Sequence, residues 1–451
     1  MSVTAPPPVT RPPRAEPGVT TLPDGRTIRQ LCLPVAPVPF QGPSISAEHT
    51  VGGPALARSG VVTDLTPGTP APPEMPHVAY VLADLDTGAV LVAKAAHALL
   101  RPASTLKTLT ALVTLPVLDP ATVVVGTAED AAADGTRVGI VAGNRYTVDD
   151  LFNGLIMVSG NDAAYALARA CGGRERLIAD MNAKAAQLGA YDTLAVDPSG
   201  LDADGQRVSA YDLALIGRAV MALPDFRRRS TQLLGTFPGA TMTVAAAGHS
   251  PTTSVVGPYQ IGNHNPVLQG YPGIVGIKNG YTTKARNTLV VAAARGGHTL
   301  LLTELGSPVP QAEPTKALLD WGFAYAAQAR PVGTLVAPGT AVRPPEWGPP
   351  GQGATVTPPT DEPTGTETEG PDPTAATTTP EGSAGPQAQA AGPPSGEPLE
   401  YQLAARVSSW WGGLGAAGPA GAGIGALLVA GAGTAAARRR ARRRSRGSFE
   451  P

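Results

Sequence analysis

Short apolar runs separated by polar turns predict two β-hairpins in the chain. Residues 78–83 and 89–93 are apolar and flank the polar stretch 84–88, which ends in a glycine that can supply a positive φ. Residues 289–293 and 299–303 form a second such pair, separated by a turn that contains two glycines. We therefore predict one antiparallel hairpin before the middle of the chain and another well after it.

Apolar positions recur with helical spacing between the two hairpins. Leu151, Leu155 and Val158 fall at i, i+4 and i+7, the spacing of one face of a helix. Further helices are predicted at residues 163–170, 212–221 and 318–325. Strands at both ends with helices between them favour an α+β fold, in which helices cover a mainly antiparallel sheet.

Both ends of the chain lack a periodic apolar pattern and are rich in proline. Of the 48 prolines, residues 1–76 hold 17 and residues 331–451 hold 18. Such segments cannot bury enough apolar surface to offset the loss of chain entropy. We therefore predict a disordered Pro-rich segment over 1–76, a folded domain over 77–330, and a disordered linker rich in Pro, Thr, Gly and Glu over 331–409.

A charge-free segment near the C-terminus has the features of a membrane anchor. Residues 412–437 contain no charged side chain and follow Trp410-Trp411, and seven arginines lie between 438 and 446. A spanning helix needs about 20 apolar residues, and arginine clusters stay on the cytoplasmic side. We predict a transmembrane helix over 410–437 and a basic cytoplasmic tail over 438–451, with the folded domain over 77–330 outside the cell. The alternative is a disordered Gly/Ala tail with a basic end.

This predicted orientation requires export, yet no apolar run long enough for a signal peptide follows Met1. Three explanations stay open: the true start lies upstream of Met1, export uses an unrecognised route, or the anchor prediction is wrong. We favour an upstream start.

Composition excludes several classes of function. A formal net charge of −1 excludes general nucleic-acid binding by bulk electrostatics. Only two cysteines occur, Cys32 and Cys171, so a disulfide-rich scaffold and a Cys-based zinc site are excluded.

Three short motifs with reactive side chains occur in order within the predicted domain. Ser104 and Lys107 lie at i and i+3 of a predicted helix, so the hydroxyl and the amine share one face. Serine becomes a nucleophile when a base removes its proton, and a buried lysine with a lowered pKa can be that base. Ser159-Gly160-Asn161 falls between two helices, where the glycine permits a tight turn. Lys278-Asn279-Gly280 places a cation at one end of a predicted strand.

Each motif taken alone also has a purely structural explanation. The first is compatible with a surface lysine near a capping serine, and the second with an ordinary helix cap. Lys278 could be a charged residue that protects an exposed sheet edge. The order and spacing of the three motifs decide between the explanations.

Together the motifs resemble the penicillin-recognising serine peptidases, and most closely the D-alanyl-D-alanine carboxypeptidases, which are low-molecular-mass penicillin-binding proteins. The matching stretches are Pro102-Ala103-Ser104-Thr105-Leu106-Lys107, Ser159-Gly160-Asn161-Asp162-Ala163-Ala164, Met181-Asn182-Ala183-Lys184, Leu188-Gly189, Asp197-Pro198-Ser199-Gly200-Leu201 and Gly276-Ile277-Lys278-Asn279-Gly280-Tyr281-Thr282. The resemblance covers about residues 77–325. It implies the β-lactamase/transpeptidase-like fold, an antiparallel sheet covered by helices plus an all-helical subdomain.

The resemblance also implies a role for each catalytic residue. Ser104 would attack the carbonyl between the two terminal D-alanines of a peptidoglycan stem peptide, after Lys107 takes its proton. Ser159 would relay a proton to the leaving D-alanine, helped by Lys278. Asn161 would orient Lys107 and bind the substrate backbone. No metal and no cofactor are implied, and β-lactams are expected as covalent inhibitors.

The third motif is expected to bind the substrate. The residues concerned are Lys278, Asn279, Gly280, Tyr281 and Thr282. Lys278 would attract the terminal carboxylate, and the backbone N–H groups of Ser104 and Tyr281 would form the oxyanion hole. The family most often has threonine where this chain has Asn279, so we expect altered carboxylate and β-lactam binding. Thr282 and Thr283 are the candidates to compensate.

Three alternatives share parts of this pattern. A serine β-lactamase would need an aspartate where Gly160 stands and a glutamate base, and Glu175 is the only glutamate between the second and third motifs. A D,D-endopeptidase uses the same motifs and stays open. A non-catalytic peptidoglycan-binding scaffold finds its only support in Asn279.

Overall fold

The computed structural model describes residues 19–21, 27–29, 35–244, 252–310, 312–349 and 355–359 of the 451-residue chain. Its strands are β1 (Val19–Thr21), β2 (Thr27–Arg29), β3 (Val61–Val62), β4 (Asp64–Leu65), β5 (Ala79–Asp84), β6 (Ala89–Lys94), β7 (Val123–Val125), β8 (Arg145–Thr147), β9 (Leu234–Phe237), β10 (Ala240–Val244), β11 (Thr252–Val256), β12 (Tyr259–Gly262), β13 (Ile274–Thr282), β14 (Arg286–Arg295), β15 (His298–Ser307), β16 (Ala329–Arg330) and β17 (Gly333–Thr334).

The α-helices are α1 (Lys107–Thr114), α2 (Ala128–Ala131), α3 (Val148–Asn153), α4 (Asn161–Ala170), α5 (Arg174–Leu188), α6 (Ala210–Met221), α7 (Pro224–Thr231) and α8 (Ala312–Tyr325). Short 3₁₀-helices lie at Ala47–His49, Pro54–Ala57, Ala103–Leu106, Ala326–Gln328 and Pro345–Trp347, and a π-helix lies at Gly154–Val158.

One antiparallel sheet organises the molecule. Its strands follow the order β13-β14-β15-β5-β6-β17, and β3 also pairs with β6. The sheet is buried on both faces, so its central strands are apolar at consecutive positions and do not alternate. In β5, for example, Val81 belongs to the core on one face and Leu82 to the core on the other. Strand β13 forms one edge of this sheet.

Helices cover the two faces of the sheet unequally. The larger core contains buried residues of α1, α3, α4, α5 and α6, and the smaller one contains Leu318 and Leu319 of α8. Small residues allow close packing in both layers. A Cβ on Gly217 of α6 would lie 3.1 Å from Val290, and one on Gly322 of α8 would lie 2.7 Å from Leu300. This arrangement confirms the expected α+β fold.

The local patterns predicted the central strands of the large sheet and most of the α-helices. The hairpins β5–β6 and β14–β15 are confirmed, with Gly88 at φ 82° in the first turn. The helix predicted over 151–158 is in fact α3 followed by the π-helix. The full length of helix α5 was not predicted, although its buried residues Leu177, Met181 and Leu188 have helical spacing.

The N-terminal part of the fold is larger than predicted. The disordered segment was expected to reach residue 76, but the described residues 35–76 are packed onto the domain. Leu56 is 1% exposed and belongs to the main core, and β3 extends the central sheet. Composition could not reveal this, because the segment has too few apolar residues for a core of its own and packs onto one made by others.

The C-terminal boundary also lies further along the chain than residue 330. Strand β17 pairs with β6, and Leu335 and Trp347 are each 2% exposed. Trp347 forms a small cluster with Phe40 and Leu99, and Gln41 pairs with Thr357. The two Pro-rich segments therefore contact each other as well as the domain, over a sequence distance that local patterns cannot detect.

The predicted membrane span over 410–437 and the basic tail over 438–451 lie outside the described residues, as do residues 1–18 and the linker beyond residue 359. In the part of the chain that the structure describes, no helix has the length and apolar character that crossing a membrane requires.

Replacing a buried leucine of the N-terminal segment tests whether this segment belongs to the fold. We expect Leu56→Ala to lower the free energy of unfolding by about 2–5 kcal/mol, because it leaves a cavity in the core. Val342→Ala is the control, since Val342 is 84% exposed, and it should change stability by less than about 0.5 kcal/mol. Denaturant titration measures both. Equal, negligible effects of the two changes would contradict the packing of residues 35–76.

Candidate active site

The site is organised around the buried amine of Lys107, in the first turn of α1. The side chain is 1% exposed. Its Nζ lies 2.9 Å from Ser104 Oγ, 2.6 Å from Asn161 Oδ1 and 2.6 Å from the backbone oxygen of Ser199. Three segments that are distant in sequence thus meet at one nitrogen atom.

These three contacts fit an ammonium, which can donate to all three oxygens, and they also fit a neutral amine. A neutral amine has two N–H donors and one lone pair. In the neutral form, the oxygens of Asn161 and Ser199 take the two donors because they can only accept, and the lone pair is left for the Ser104 hydroxyl. Burial, and after it the charge of Lys278, lower the pKa of Lys107 well below its ordinary value, while Asp197 and Asp162 oppose this shift. The arrangement can therefore remove a proton from Ser104.

Close backbone packing positions Ser104 at the start of the helix. Ala103, the residue before it, has a φ of 47°, and a Cβ on Gly200 would lie 2.0 Å from the Ala103 oxygen. Only glycine allows that approach. Thr288 Oγ1 of β14 donates to the Pro102 oxygen at 2.9 Å, which joins this turn to the sheet. Ser104 stays half-buried, so its hydroxyl is open to a substrate.

Asn161 is held in one orientation by the loop that precedes β8. Its Nδ2 donates to the Asp134 oxygen at 2.6 Å, and its backbone N donates to the Thr136 oxygen at 2.7 Å. Because the amide nitrogen is already engaged, the amide oxygen points to Lys107. The loop therefore holds the Asn161 amide in the orientation in which its oxygen accepts from the Lys107 amine.

The turn of the second motif differs in detail from the sequence-based expectation. Gly160 was expected to supply the tight turn, but Ser159 itself adopts the left-handed conformation, at φ 67°, and Gly160 has a φ of −60°. The glycine is required for another reason. A Cβ at this position would lie 2.6 Å from Asp162 Oδ1 and 3.1 Å from the Val138 nitrogen. The Ser159 side chain is 6% exposed.

The third motif lies against Ser104 along the edge strand β13. A Cβ on Gly280 would be 2.6 Å from the backbone nitrogen of Ser104. Lys278 was expected at a strand end but lies in the middle of β13, where it is 2% exposed. Burial lowers its pKa to about 7. Its Nζ donates to the backbone oxygen of Asn279 at 2.8 Å and lies 3.4 Å from that residue's Oδ1.

The last two predicted binding residues lie at the end of β13. Tyr281 is 58% exposed, so its side chain is not part of the core. Thr282 Oγ1 donates to Asp202 Oδ1 at 3.0 Å, and Arg101 Nε lies 3.9 Å from the same oxygen. Thr282 is therefore already tied to the loop after Ser199.

The structure brings some predicted residues into direct contact and leaves others apart. Ser104, Lys107 and Asn161 form a hydrogen-bonded group, and Gly280 touches it. Among the described residues, neither Ser159 nor Lys278 is hydrogen-bonded to that group. Sequence reasoning quoted Ser199 without giving it a role, because a backbone carbonyl has no side-chain signature.

The residues of other candidate chemistries lie elsewhere. Glu175, which a β-lactamase would need as a base, is exposed in the first turn of α5. Within the described ranges, the set whose atoms could ligate a metal is His97, Asp192 and Asp212, which shares no residue with this site. His97 Nδ1 is 2.7 Å from Asp192, and its Nε2 is 3.0 Å from the Val51 oxygen, so the imidazole already links the domain to the N-terminal segment.

Comparison with known proteins shows what the chain resembles. A family described as D-alanyl-D-alanine carboxypeptidase matches residues 66–308. The chain is 41% identical over 280 residues to the D-alanyl-D-alanine carboxypeptidase DacB2 of Mycobacterium tuberculosis, an alignment that covers 60% of this chain and 91% of that protein. It is 31% identical over 252 residues to the D-alanyl-D-alanine carboxypeptidase DacF of Bacillus subtilis, covering 54% of this chain and 61% of the relative.

A solved structure agrees with these sequence matches. The crystal structure of a D-alanyl-D-alanine carboxypeptidase from Mycobacterium tuberculosis superimposes with a TM-score of 0.54 at 40% identity. The match covers 60% of this chain and 99% of that one. Nearly the whole of the solved protein thus has a counterpart here.

A methyl group at Gly280 tests the contact between the third motif and Ser104. We expect Gly280→Ala to slow the acylation of Ser104 by fluorescent penicillin by about 100-fold, because the added carbon would displace β13 from the Ser104 nitrogen. Gly262→Ala in β12 is the matched control, since nothing lies within 4 Å of a Cβ there. Gel fluorescence over time gives both rates. An unchanged rate in Gly280→Ala would contradict the close approach.

Proposed function

The chain belongs to the D-alanyl-D-alanine carboxypeptidase family, and we propose that it removes the terminal D-alanine of peptidoglycan stem pentapeptides through an ester on Ser104. It is a serine-type D-alanyl-D-alanine carboxypeptidase, a hydrolase of the bacterial cell wall. The observation that supports the mechanism best is the buried Lys107 amine, which lies within hydrogen-bond distance of Ser104 Oγ, Asn161 Oδ1 and the Ser199 backbone oxygen.

Acylation begins when Lys107 accepts the Ser104 proton. The Oγ then attacks the carbonyl carbon between the two D-alanines, and the carbonyl oxygen becomes an oxyanion. The N–H groups of Ser104 and Tyr281 are proposed to stabilise it, and Gly280 supports this because it places β13 beside the Ser104 nitrogen. Loss of one such donor typically raises the barrier by about 2.7–4 kcal/mol.

Collapse of the tetrahedral intermediate breaks the C–N bond to the leaving D-alanine. The proton taken by Lys107 is returned to the leaving amine through Ser159, whose hydroxyl lies in the same turn as Asn161. The peptide remains as an ester on Ser104. Water then attacks this ester, with its proton passing to Lys107, and releases the shortened peptide and the free serine.

Lys278 is proposed to attract the terminal carboxylate of the substrate. Its ammonium is buried, so a carboxylate that binds there meets little competition from solvent. Asn279 supplies an amide where the family usually has a hydroxyl, and its Oδ1 is oriented towards Lys278. β-Lactams fit the same chemistry. Their ring opens on Ser104 and the leaving nitrogen stays attached, so the ester persists.

The membrane anchor remains a proposal. We propose that residues 410–437 span the membrane with the Arg-rich tail inside and the catalytic domain outside. The support is the charge-free run, the preceding tryptophan pair and the seven arginines that follow. Recovery of the full chain in the detergent-extracted membrane fraction, and its absence there after truncation at residue 409, tests the proposal.

Release of D-alanine is the direct test of the function. The full chain should release D-alanine from a stem pentapeptide, and Ser104→Ala should lose this activity by on the order of a million-fold, since the nucleophile is gone. Ser44→Ala, at an exposed serine of the N-terminal segment, is the control that should keep the activity. Cleavage of a cross-linked dimer is measured in parallel. Dimer cleavage without D-alanine release would favour the D,D-endopeptidase instead.

The two lysines predict a bell-shaped pH profile of kcat/KM. The rate should rise with pH as Lys107 loses its proton, because only the neutral amine is a base. It should fall as pH rises through about 7, because Lys278 then loses the charge that attracts the carboxylate. Lys278→Arg keeps its charge and should remove the falling limb. A wild-type rate that keeps rising well above neutral pH would contradict this assignment.

A further inference from the structure

Asp162 is a fully buried carboxylate next to the second motif, and the mechanism above gives it no role. Both of its oxygens accept backbone N–H groups. Oδ1 accepts from Val138 and Ala163, each at 2.9 Å. Oδ2 accepts from Gly139 at 2.8 Å and from Ile140 at 3.0 Å. Four backbone hydrogen bonds to one carboxylate are more than a helix cap requires. Three of the four donors belong to a loop 22–24 residues away in sequence.

The loop that Asp162 holds is the loop that orients Asn161. We define it as the clamp loop, residues 134–141. Its carbonyls at Asp134 and Thr136 accept from Asn161. A Cβ added to its Gly135 would lie 3.1 Å from the Asn161 amide nitrogen, so the loop is packed closely against this side chain. The contacts therefore run from Asp162 through the clamp loop to Asn161, and from there to Lys107.

Two tyrosines hold the clamp loop as well. Tyr259 OH donates to the Val138 oxygen, and the Val141 nitrogen donates to Tyr146 OH at 2.9 Å. Tyr259 comes from β12 and Tyr146 from β8, so neither belongs to the motif helix α4. Asp162 joins the clamp loop to the same helix turn that carries Asn161, in addition to the contacts that Asn161 itself makes.

We propose that Asp162 is a positioning residue for the acylation reaction: it fixes the clamp loop against α4, so that Asn161 presents its amide oxygen to Lys107 while the Asp162 charge acts on the same amine. The proposal rests on the function proposed above, with Lys107 as the base. It assigns to this site a residue that touches neither substrate nor reacting atoms.

The charge of Asp162 gives the proposal a measurable signature. The charged groups that act on the Lys107 amine are Lys278 on β13, Asp197 before Ser199, and Asp162 on α4. Lys278 lowers the pKa of Lys107, and the two carboxylates raise it. Removing the negative charge at Asp162 must therefore lower that pKa further, and the neutral amine would persist to lower pH.

The test is the pH dependence of acylation by fluorescent penicillin, measured on the full-length chain. Asp162→Asn keeps the shape of the side chain but removes its charge. The amide has one oxygen instead of two, so in either orientation two of the four backbone N–H groups lose their acceptor. We expect acylation to slow by about 100-fold at its optimum. We also expect the acid limb of the rate profile to shift to lower pH. Titration of reactive sites corrects both measurements for any unfolded fraction.

Asp130→Asn is the matched control. Asp130 is another buried carboxylate that accepts a backbone N–H, from Thr127, and it pairs with Arg169, but it is not among the groups that act on Lys107. Its change should leave the acid limb where it is. Tyr259→Phe removes one support of the clamp loop without changing any charge. It should slow acylation and leave the acid limb unmoved.

Each outcome bears on the proposal. An acid limb in Asp162→Asn that coincides with the wild type, after correction for active sites, would overturn it, as would an unchanged rate. If Asp162→Asn does not fold, Tyr259→Phe decides, since an unchanged rate there would overturn the clamp-loop step. Failure of the proposed function looks different, because the wild-type chain itself would then take up no penicillin at Ser104.

Discussion

The site depends on one constraint: the Lys107 amine is buried, and its burial, followed by the charge of Lys278, opposes the protonated form. A buried ammonium would need several acceptors and would lose the solvation that water gives it. Here Lys107 lies within hydrogen-bond distance of two acceptors and one hydroxyl, and in its neutral form it can accept from that hydroxyl. The second lysine, Lys278, adds a positive charge that keeps the first one neutral. The fold thus favours the neutral amine that the proposed base requires.

Glycines allow the separate segments of the site to approach one another closely. Gly200 lets the loop with the Ser199 carbonyl reach the turn before Ser104, and Gly280 lets β13 approach the Ser104 nitrogen. Gly160 makes room for the Asp162 carboxylate, which in turn holds the clamp loop. Rigid elements carry each part, because α1 and α4 are packed in the main core and β13 is paired along its length with β14.

How much of this the sequence could predict depends on the range of each interaction. The hairpin β5–β6 and the Ser104 to Lys107 spacing are local, so pattern and turn residues predicted them. Order in residues 35–76 and the contact of Trp347 with Phe40 are not local, and a Pro-rich composition concealed them. Two partners of the site were missed for a different reason. Ser199 acts through a backbone oxygen, and Asp162 acts through backbone donors of a distant loop, so neither follows from residue type or spacing.

The most direct test of the account is the protonation state of Lys107 in the free protein. Lysine labelled with ¹³C at Cε, with the Lys107 signal assigned by its loss in Lys107→Arg, reports that state by NMR as pH is varied. The account predicts that Lys107 titrates well below the ordinary lysine value of about 10.4 and is largely neutral where the enzyme works. A Lys107 signal that titrates at the ordinary value would contradict the central claim that the fold itself prepares the base.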